Sequence, residues 1–514
     1  MSGESQLQWY ASLCLSACQL GPGNSPHVAS ASIHKVDDDS LLNVFYLYRL
    51  FFSGIDDDPL LNVSWLYRLL FLAIDDDKDN SKGGKKLWVG ECWWYKLTHV
   101  CQRWRNLIFR SASYLRLSLF CTMGTPVAYM LAHSPPLPLV INYDDGLSDI
   151  TREDKERVIL ALKQRDRVRR VRLVIRFSTL RKLIVAMEET FPILEDLIVW
   201  SWSGHITTLV ALPFHAPHLR HLVLVGFTLA IGSPLPTTAT HLVTLCLFIT
   251  HPSLYVHPNT LLRWLSFIPQ LETLNISFHS YPNSDEERQF THPPVMTPVT
   301  LPNLHHFSFQ GRSTYLDALV HRITPCPEKL EITFFDQNTF SVPCLPQFIE
   351  TRWNLKLESA KFKFSLRKVF AVVYPRGEAE MDVLSLLAVN PDSWDLNWLA
   401  SSVAQISNLF RQIFAAVERL TLELTYDVSH NRIDRIEWRQ LLNLFSNVKT
   451  LHIDNLLVKE VSRCLESNDG EFPLQLLPEL QELTCSGSGN SGDTFTSFID
   501  ARQNAGRPIT LTRC

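Results

Sequence analysis

The chain has 514 residues, 46% of them hydrophobic, with 48 Lys and Arg against 52 Asp and Glu and a net charge of -4. That length exceeds what one compact core holds, so two domains or a repeating array is expected, and the near-neutral balance excludes a chain-wide basic field for nucleic acid. No run of about 18 apolar residues escapes a charge, with Arg49 and Arg68 interrupting the two best candidates, so no membrane-spanning helix is expected.

Residues 1–35 follow no periodic pattern, contain Gly21-Pro22-Gly23 and lack the basic start of a signal peptide, so disorder is expected there. An internal duplication follows at an offset of 19. DDDSLLNVFYLYRLFFSGI (37–55) matches DDDPLLNVSWLYRLLFLAI (56–74) at 13 of 19 positions. Each Asp triplet precedes an apolar helical pattern, which makes Asp39 and Asp58 candidate N-caps, with Pro59 at a first helical position. The triplets lack the glycine turn and distal glutamate of a calcium loop, so capping is the preferred reading.

An insertion containing Lys82-Gly83-Gly84-Lys85-Lys86 leads to WWYKLTHVCQRWRNLIFRSASYLRLSL (93–119). Leu97, Val100, Cys101, Trp104, Leu107 and Ile108 recur at helical spacing, with Lys96, Gln102, Arg103, Arg105 and Asn106 between them. One amphipathic helix of about three turns with a basic outer face is predicted. His99 and Cys101 would fall on opposite sides of it and form no catalytic or metal pair.

Leu41-Leu42-Asn43-Val44-Phe45 and Val100-Cys101-Gln102-Arg103-Trp104-Arg105 resemble the two halves of the F-box, a leucine-leucine-x-x-isoleucine-phenylalanine helix followed by a V-C-x-x-W helix. The F-box-like region covers residues 36–120, and the chain as a whole is similar to the large group of fungal F-box proteins with irregular leucine-rich repeats. The usual leucine-proline opening is replaced by Val36-Asp37. Copy one keeps the motif phenylalanine as Phe45, whereas copy two has Ser64 there but lies closer to the second half; copy one is preferred on residue identity. The resemblance implies docking on a Skp-family adaptor, and through it on a cullin-RING ubiquitin ligase, by Leu41, Leu42, Val44, Phe45, Leu97, Val100, Cys101, Trp104 and Leu107. A unit this short cannot bury all its apolar side chains, so these are expected to be left uncovered for the partner.

Residues 121–160 are expected as a linker or cap and 161–514 as the repeat array. From residue 168 a short phrase recurs, as in APHLRHLVL (216–224), IPQLETLNI (268–276) and AVERLTLEL (416–424). Its middle hydrophobic residues are Val171, Leu197, Leu222, Leu245, Leu274, Phe307, Leu330, Ala360, Leu384, Leu420, Leu451 and Leu483, at spacings of 23 to 36. These cluster near the 20 to 29 residues of leucine-rich repeats. The leucine-x-leucine alternation makes a short strand, and helices are predicted between strands at 151–164, 259–267, 313–323, 403–417 and 437–445. The expected fold class is α/β, a short N-terminal helical F-box-like unit followed by a leucine-rich-repeat solenoid with parallel strands on the concave side and helices on the convex side.

A doubly wound enzyme would show a glycine-rich phosphate turn. No P-loop occurs, and the one Gly-x-Gly-x-x-Gly spacing, Gly487-Ser488-Gly489-Asn490-Ser491-Gly492, sits in a serine-rich turn with no apolar helix start following and reads as a loop. Gly-x-Ser-x-Gly, His-Glu-x-x-His and Cys-x-x-Cys are likewise absent. His215, His218 and His221 are three apart, but Pro217 argues against a helix that would align them, so they read as surface histidines. Arg165, Arg167, Arg169, Arg170 and Arg172 read as a solvated charged edge in preference to a phosphate site. The 11 cysteines are scattered in apolar surroundings such as Leu245-Cys246-Leu247, which fits a reduced protein of cytoplasm or nucleus.

The residues flanking each leucine-x-leucine are expected on the concave face. Trp200, His221, Val223, Asn275, His306, Arg419, Glu423 and His452 are the candidate target-binding residues there, a mixed polar and apolar surface suited to a protein. No catalytic residue, metal ligand or cofactor is expected. The expected function is the substrate-recognition subunit of an SCF-type ligase, with the adaptor and a target protein as partners and neither nucleic acid nor membrane. The alternative is a repeat-based interaction scaffold with a degenerate F-box and no ligase link.

Overall fold

A computed structural model of the chain describes residues 37–53, 93–144, 151–201, 214–227, 229, 233–279, 298–335, 337, 340–350, 357–365, 368–375, 384–389, 396–425, 435–465, 475–486 and 493–513. The expectations for residues 1–35, for the second copy with Asp58 and Pro59, for the insertion at 82–86 and for the glycine run at 487–492 lie outside the described residues. The chain divides into two compact units, Met1–Ile175 with Val185–Met187 and Phe191–Leu197, and the remainder.

In the first unit, helices α1 (Asp38–Ser53), α2 (Trp93–Thr98) and α3 (Gln102–Arg110) precede three parallel strands in sequential order, β1 (Leu119–Cys121), β2 (Leu139–Asp144) and β3 (Val168–Val174). Helices α4 (Val127–His133) and α5 (Arg152–Leu162) connect the strands. The segment 121–160, expected as linker or cap, therefore supplies a strand and two helices. Strand β2 buries Leu139, Ile141 and Tyr143 on alternate positions, which is strand periodicity without the recurring phrase. Helix α5 starts where predicted because Thr151 caps it: Asp154 donates its N–H to the Thr151 hydroxyl at 3.0 Å, and that hydroxyl donates to the Asp154 carboxylate at 2.7 Å. The other Asp154 oxygen accepts the Gly124 N–H at 3.0 Å and fixes the turn before α4.

The arginine run at β3 is taken up internally. Arg169 pairs with Glu195 at 2.8 Å and Arg170 with Asp196 at 2.6 Å, while Arg167 donates to the carbonyls of Leu137 and Pro135. These three arginines of the run are satisfied by their own unit.

Strand β4 (Asp196–Trp200) holds residues of both units. The second unit then contains β5 (His221–Val225), β6 (Thr244–Ile249), β7 (Thr273–Phe278), β8 (Val299–Thr300), β9 (His306–Gly311), β10 (Ile323–Thr324), β11 (Lys329–Phe335), β12 (Leu357–Ser365), β13 (Lys368–Pro375), β14 (Leu384–Val389), β15 (Arg419–Leu424), β16 (Thr450–Asp454), β17 (Glu482–Ser486) and β18 (Thr510–Arg513). Twelve of these form one mostly parallel sheet in the order β5-β6-β7-β9-β11-β14-β13-β12-β15-β16-β17-β18, and β8 and β10 pair separately. Register places the middle hydrophobic residue of each phrase beside that of its neighbour. Leu222, Leu245, Leu274, Phe307, Leu330 and Leu384 form one row, and Ala360, Leu420, Leu451 and Leu483 another, all buried.

The sheet departs from simple succession at β12. The short connection between Ser365 and Lys368 makes a hairpin, so β13 runs antiparallel to β12 and to β14, and β14 returns to lie beside β11. Ala360 consequently neighbours Leu420 instead of Leu330. The helices predicted at 259–267, 313–323 and 437–445 are Pro258–Leu265, Ser313–Val320 and Arg435–Leu442, and the one predicted at 403–417 is Leu396–Leu409 followed by Arg411–Ala415. Helices Phe177–Val185, Cys344–Glu350, Asn455–Leu465 and Thr496–Asn504 were not foreseen. The last of these buries Arg502 completely; its guanidinium donates to the carbonyls of Leu477, Pro478 and Leu480 at 3.0 to 3.1 Å and pins the turn before β17, where Leu477 holds φ 48.

Gly226 ends β5 at φ +76, where a Cβ would stand 2.0 Å from the Ser201 carbonyl oxygen. Gly226→Ala must both strain its own backbone and push Ser201 away, and a loss of more than about 2 kcal/mol in denaturant unfolding is expected. A loss under about 0.5 kcal/mol would show that the strand end relaxes freely.

Candidate functional site

Helix α1 begins at its aspartates, with the cap two residues earlier in the triplet than predicted. Asp37, rather than Asp39, is the N-cap: its carboxylate accepts the Ser40 N–H at 2.8 Å and the Ser40 hydroxyl at 2.7 Å, and its carbonyl accepts the Leu41 N–H. The Ser40 backbone and hydroxyl donors hold the Asp37 carboxyl below its usual range. Asp38, now in the first turn, pairs with Arg103 of α3 at 2.7 Å.

The single helix expected through Leu97 and Ile108 is broken into α2 and α3 at His99 and Val100. Cys101 is extended there, at φ -159, and stands at the start of α3. The Arg105 guanidinium accounts for the break by donating to the Thr98 carbonyl at 3.0 Å, which gives the last turn of α2 a partner outside its own helix. The break also changes which side chains share a face. Leu97 from α2 and Trp104 and Ile108 from α3 now enter one core, and Val100 is turned out, 45% exposed.

That core closes on α1. Phe45 meets Trp104 edge to face, with ring centroids 4.9 Å apart, and Leu41 is buried beside them in the same unit. Trp94 sits in the core as well and donates its indole N–H to the Ser118 carbonyl at 3.3 Å. Leu41, Phe45, Leu97 and Trp104 were expected to be left uncovered for a partner; at 1 to 4% exposure they are instead the unit's own core. The reason is the contact between the two motif halves, which lets a short unit seal its largest side chains.

The remaining expected residues stay accessible. Leu42, Val44, Cys101 and Leu107 are half-buried and Val100 is exposed. Leu47, Tyr95 and Tyr114, not singled out from the sequence, are exposed too, and five of the nine exposed large hydrophobic residues among the described ones fall between 47 and 129. Helical spacing contained the signal for Leu47, three residues beyond Val44 and off the Leu41-Phe45-Arg49 face that is buried.

On the sheet of the second unit, the expected target-binding residues separate into two groups. Val223 and Asn275 are register partners of Cys246 and, for Asn275, of Ser308, and all four are buried. Both faces of β6 and β7 are covered, so these two residues line no open surface, and the Asn275 side-chain oxygen has no hydrogen-bond partner among the described residues. Alternation predicts which residues share a face but not whether that face is covered. Trp200, His221 and His306 are half-buried.

The face is open over β15, β16 and β17, where buried and accessible residues alternate. Arg419, Thr450 and Glu482 form one row across it, and Thr421, His452 and Thr484 the next. Arg419 pairs with Glu358, and Glu423 with Lys361 at 2.8 Å, so the charges contributed by β12 and β15 compensate each other. Toward the other end, Glu331 accepts from Lys329 at 2.7 Å and lies 3.5 Å from His306 on β9. Burial pushes the Glu331 carboxyl up, but the His306 imidazole and the Lys329 ammonium outweigh it and hold the carboxyl at about 2.

The histidines of HAPHLRH do not converge. His215 and His218 are exposed on the turn before β5, His218 stacks on His241 at 6.3 Å, and His221 opens the strand. Among the described residues, no group of three His, Cys, Asp or Glu side chains is placed to hold a metal ion, and no helix is long and apolar enough to cross a membrane.

Phe45→Ala and Trp104→Ala should each cost about 3 to 5 kcal/mol in unfolding of the first unit, with a coupling of about 0.5 to 1.5 kcal/mol in the double-mutant cycle. Strict additivity would mean the rings do not share an energetic contact. For Glu331 the folded carboxyl titrates below its ordinary value of 4.5, so its stabilisation is present above about 4.5 and lost as pH falls toward 2. Glu331→Gln should therefore flatten the acid limb of the stability curve in that window, and an unchanged limb would remove Glu331 from the account.

No protein-family model matches the chain, and no curated protein matches it in sequence.

Proposed function

We propose that the chain is a non-catalytic substrate receptor of an SCF-type ubiquitin ligase. In this reading α1 to α3 are an F-box that docks on a Skp-family adaptor, and the strand and helix repeats are a leucine-rich-repeat solenoid that holds a target protein. The chain contributes position, bringing target lysines to the charged conjugating enzyme, and acts in cytoplasm or nucleus without a cofactor. The observation that carries the reading is the pairing of Phe45 with Trp104, since it joins the two sequence strings that resemble the F-box into one small core. Around that core, Leu47, Tyr95 and Val100 are exposed. Covering such side chains fully contributes roughly 1.5 to 3 kcal/mol each, enough for a few of them to support a complex after ordering costs.

The target surface in this reading is the open part of the sheet, with Arg419, Glu423 and His452 as contacts. Val223 and Asn275 are not contacts. The alternative, a scaffold whose F-box no longer binds an adaptor, is favoured by one observation: Leu41, Phe45, Leu97 and Trp104 are already covered by their own unit.

Co-purification with a Skp-family adaptor separates the two. The adaptor should be recovered with the wild type and reduced at least tenfold by Leu47→Asp with Val100→Asp, two exposed substitutions that leave the Phe45 and Trp104 core untouched. Failure of the wild-type chain to recover any adaptor, with other protein partners retained, selects the scaffold.

A further inference from the structure

We propose that His218 and His241 form a two-histidine site for zinc, built across two neighbouring repeats at the entry to β5 and β6. The residue ahead of each strand's leading leucine is placed by a recurring turn, in which the leucine N–H donates to the carbonyl three residues back: Leu219 to Ala216 at 3.1 Å, Leu242 to Ala239 at 3.2 Å, Leu271 to Ile268 at 3.3 Å and Leu304 to Leu301 at 3.1 Å. His218, His241, Gln270 and Asn303 hold that position in turn. Parallel register sets them side by side, because the residues three further on are partners: His221 with Thr244, Thr244 with Thr273, and Thr273 with His306. Neighbours in this row reach each other. Asn303 donates to Gln270 at 3.2 Å, and the His218 and His241 rings lie 6.3 Å apart with 6° between their planes.

Leu219 and Leu242 are buried and hold the backbone behind the pair, while both imidazoles are exposed. Two imidazoles bonded to one ion at about 2.0 to 2.1 Å have ring centres roughly 5 to 6.5 Å apart, so the spacing here needs no backbone shift. Rotation about χ2, a broad torsion, turns one nitrogen of each exposed ring into the gap. Imidazole selects zinc, copper or nickel over calcium and magnesium, which take oxygen ligands. Water completes the coordination, so the site is an open one built from two side chains, below the three-residue clusters absent among the described residues. Reading HAPHLRH along the chain misses it, because the partner of His218 is His241 in the next repeat and not His215 or His221. The site stands independently of the adaptor and target reading.

Hydrogen exchange of the full chain, followed on peptides from 214–221 and 237–244 during titration with zinc chloride, tests it in the wild type, His218→Asn, His241→Phe and the double variant. Zinc should slow exchange in both segments of the wild type by about threefold or more. The second imidazole binds intramolecularly, so each single substitution should weaken the zinc concentration dependence by at least about tenfold on both peptides, including the one that still carries its histidine. His241→Phe keeps a ring beside His218 and removes only the ligand. The double variant should be no weaker than either single one, because a lone imidazole holds the ion poorly. Zinc that slows neither segment, a substitution that removes protection from its own peptide alone, losses that add in the double variant, or magnesium chloride that reproduces the effect would each overturn the proposal.

Discussion

The structure depends on register. Because parallel strands pair residue for residue, one hydrophobic position per strand becomes a continuous buried row, from Leu222 through Leu384 and again from Ala360 through Leu483. A slip of one residue would turn each of these side chains to the opposite face. The intervening segments can vary in length because the constraint acts only where strands meet. That is why repeats spaced 23 to 36 residues apart still align.

The β12 and β13 hairpin tests that rule. It reverses the chain direction inside a parallel sheet, yet the rows continue through it: Leu384 pairs with Val373, Val373 with Ala360, and Ala360 with Leu420. Antiparallel strands alternate faces with the same period of two, so an inserted hairpin preserves the buried row provided its turn keeps parity. Elsewhere the turns are fixed by single residues. Arg502 satisfies three carbonyls before β17, and Gly226 admits the Ser201 carbonyl at the end of β5.

The helical unit obeys a different economy of size. Phe45 packs against Trp104 and is buried with Leu41, Trp94 and Leu97, so the unit seals its largest motif side chains. Leu47, Val100, Tyr95 and Tyr114 remain outside, which makes position on the helix face and not size alone decisive. On the proposed reading a docking surface is what the core excludes, so the residues that resemble the motif and the residues accessible to a partner overlap only in part.

Most strand positions, the parallel stacking of most successive phrases and five of the helices were legible in the sequence, because periodicity is a local property. The sequence strings holding Phe45 and Trp104 resemble the two halves of one motif, but their contact was not legible there. Strands β1, β2, β8, β10, β13 and β18 were missed because they lack the recurring phrase, and the break between α2 and α3 because Arg105 reaches back to Thr98 only once the turn exists. Burial was the other quantity left to tertiary structure. The same alternation leaves His452 accessible on β16 and covers Asn275 on β7, since coverage depends on what packs above a face and not on the strand that forms it.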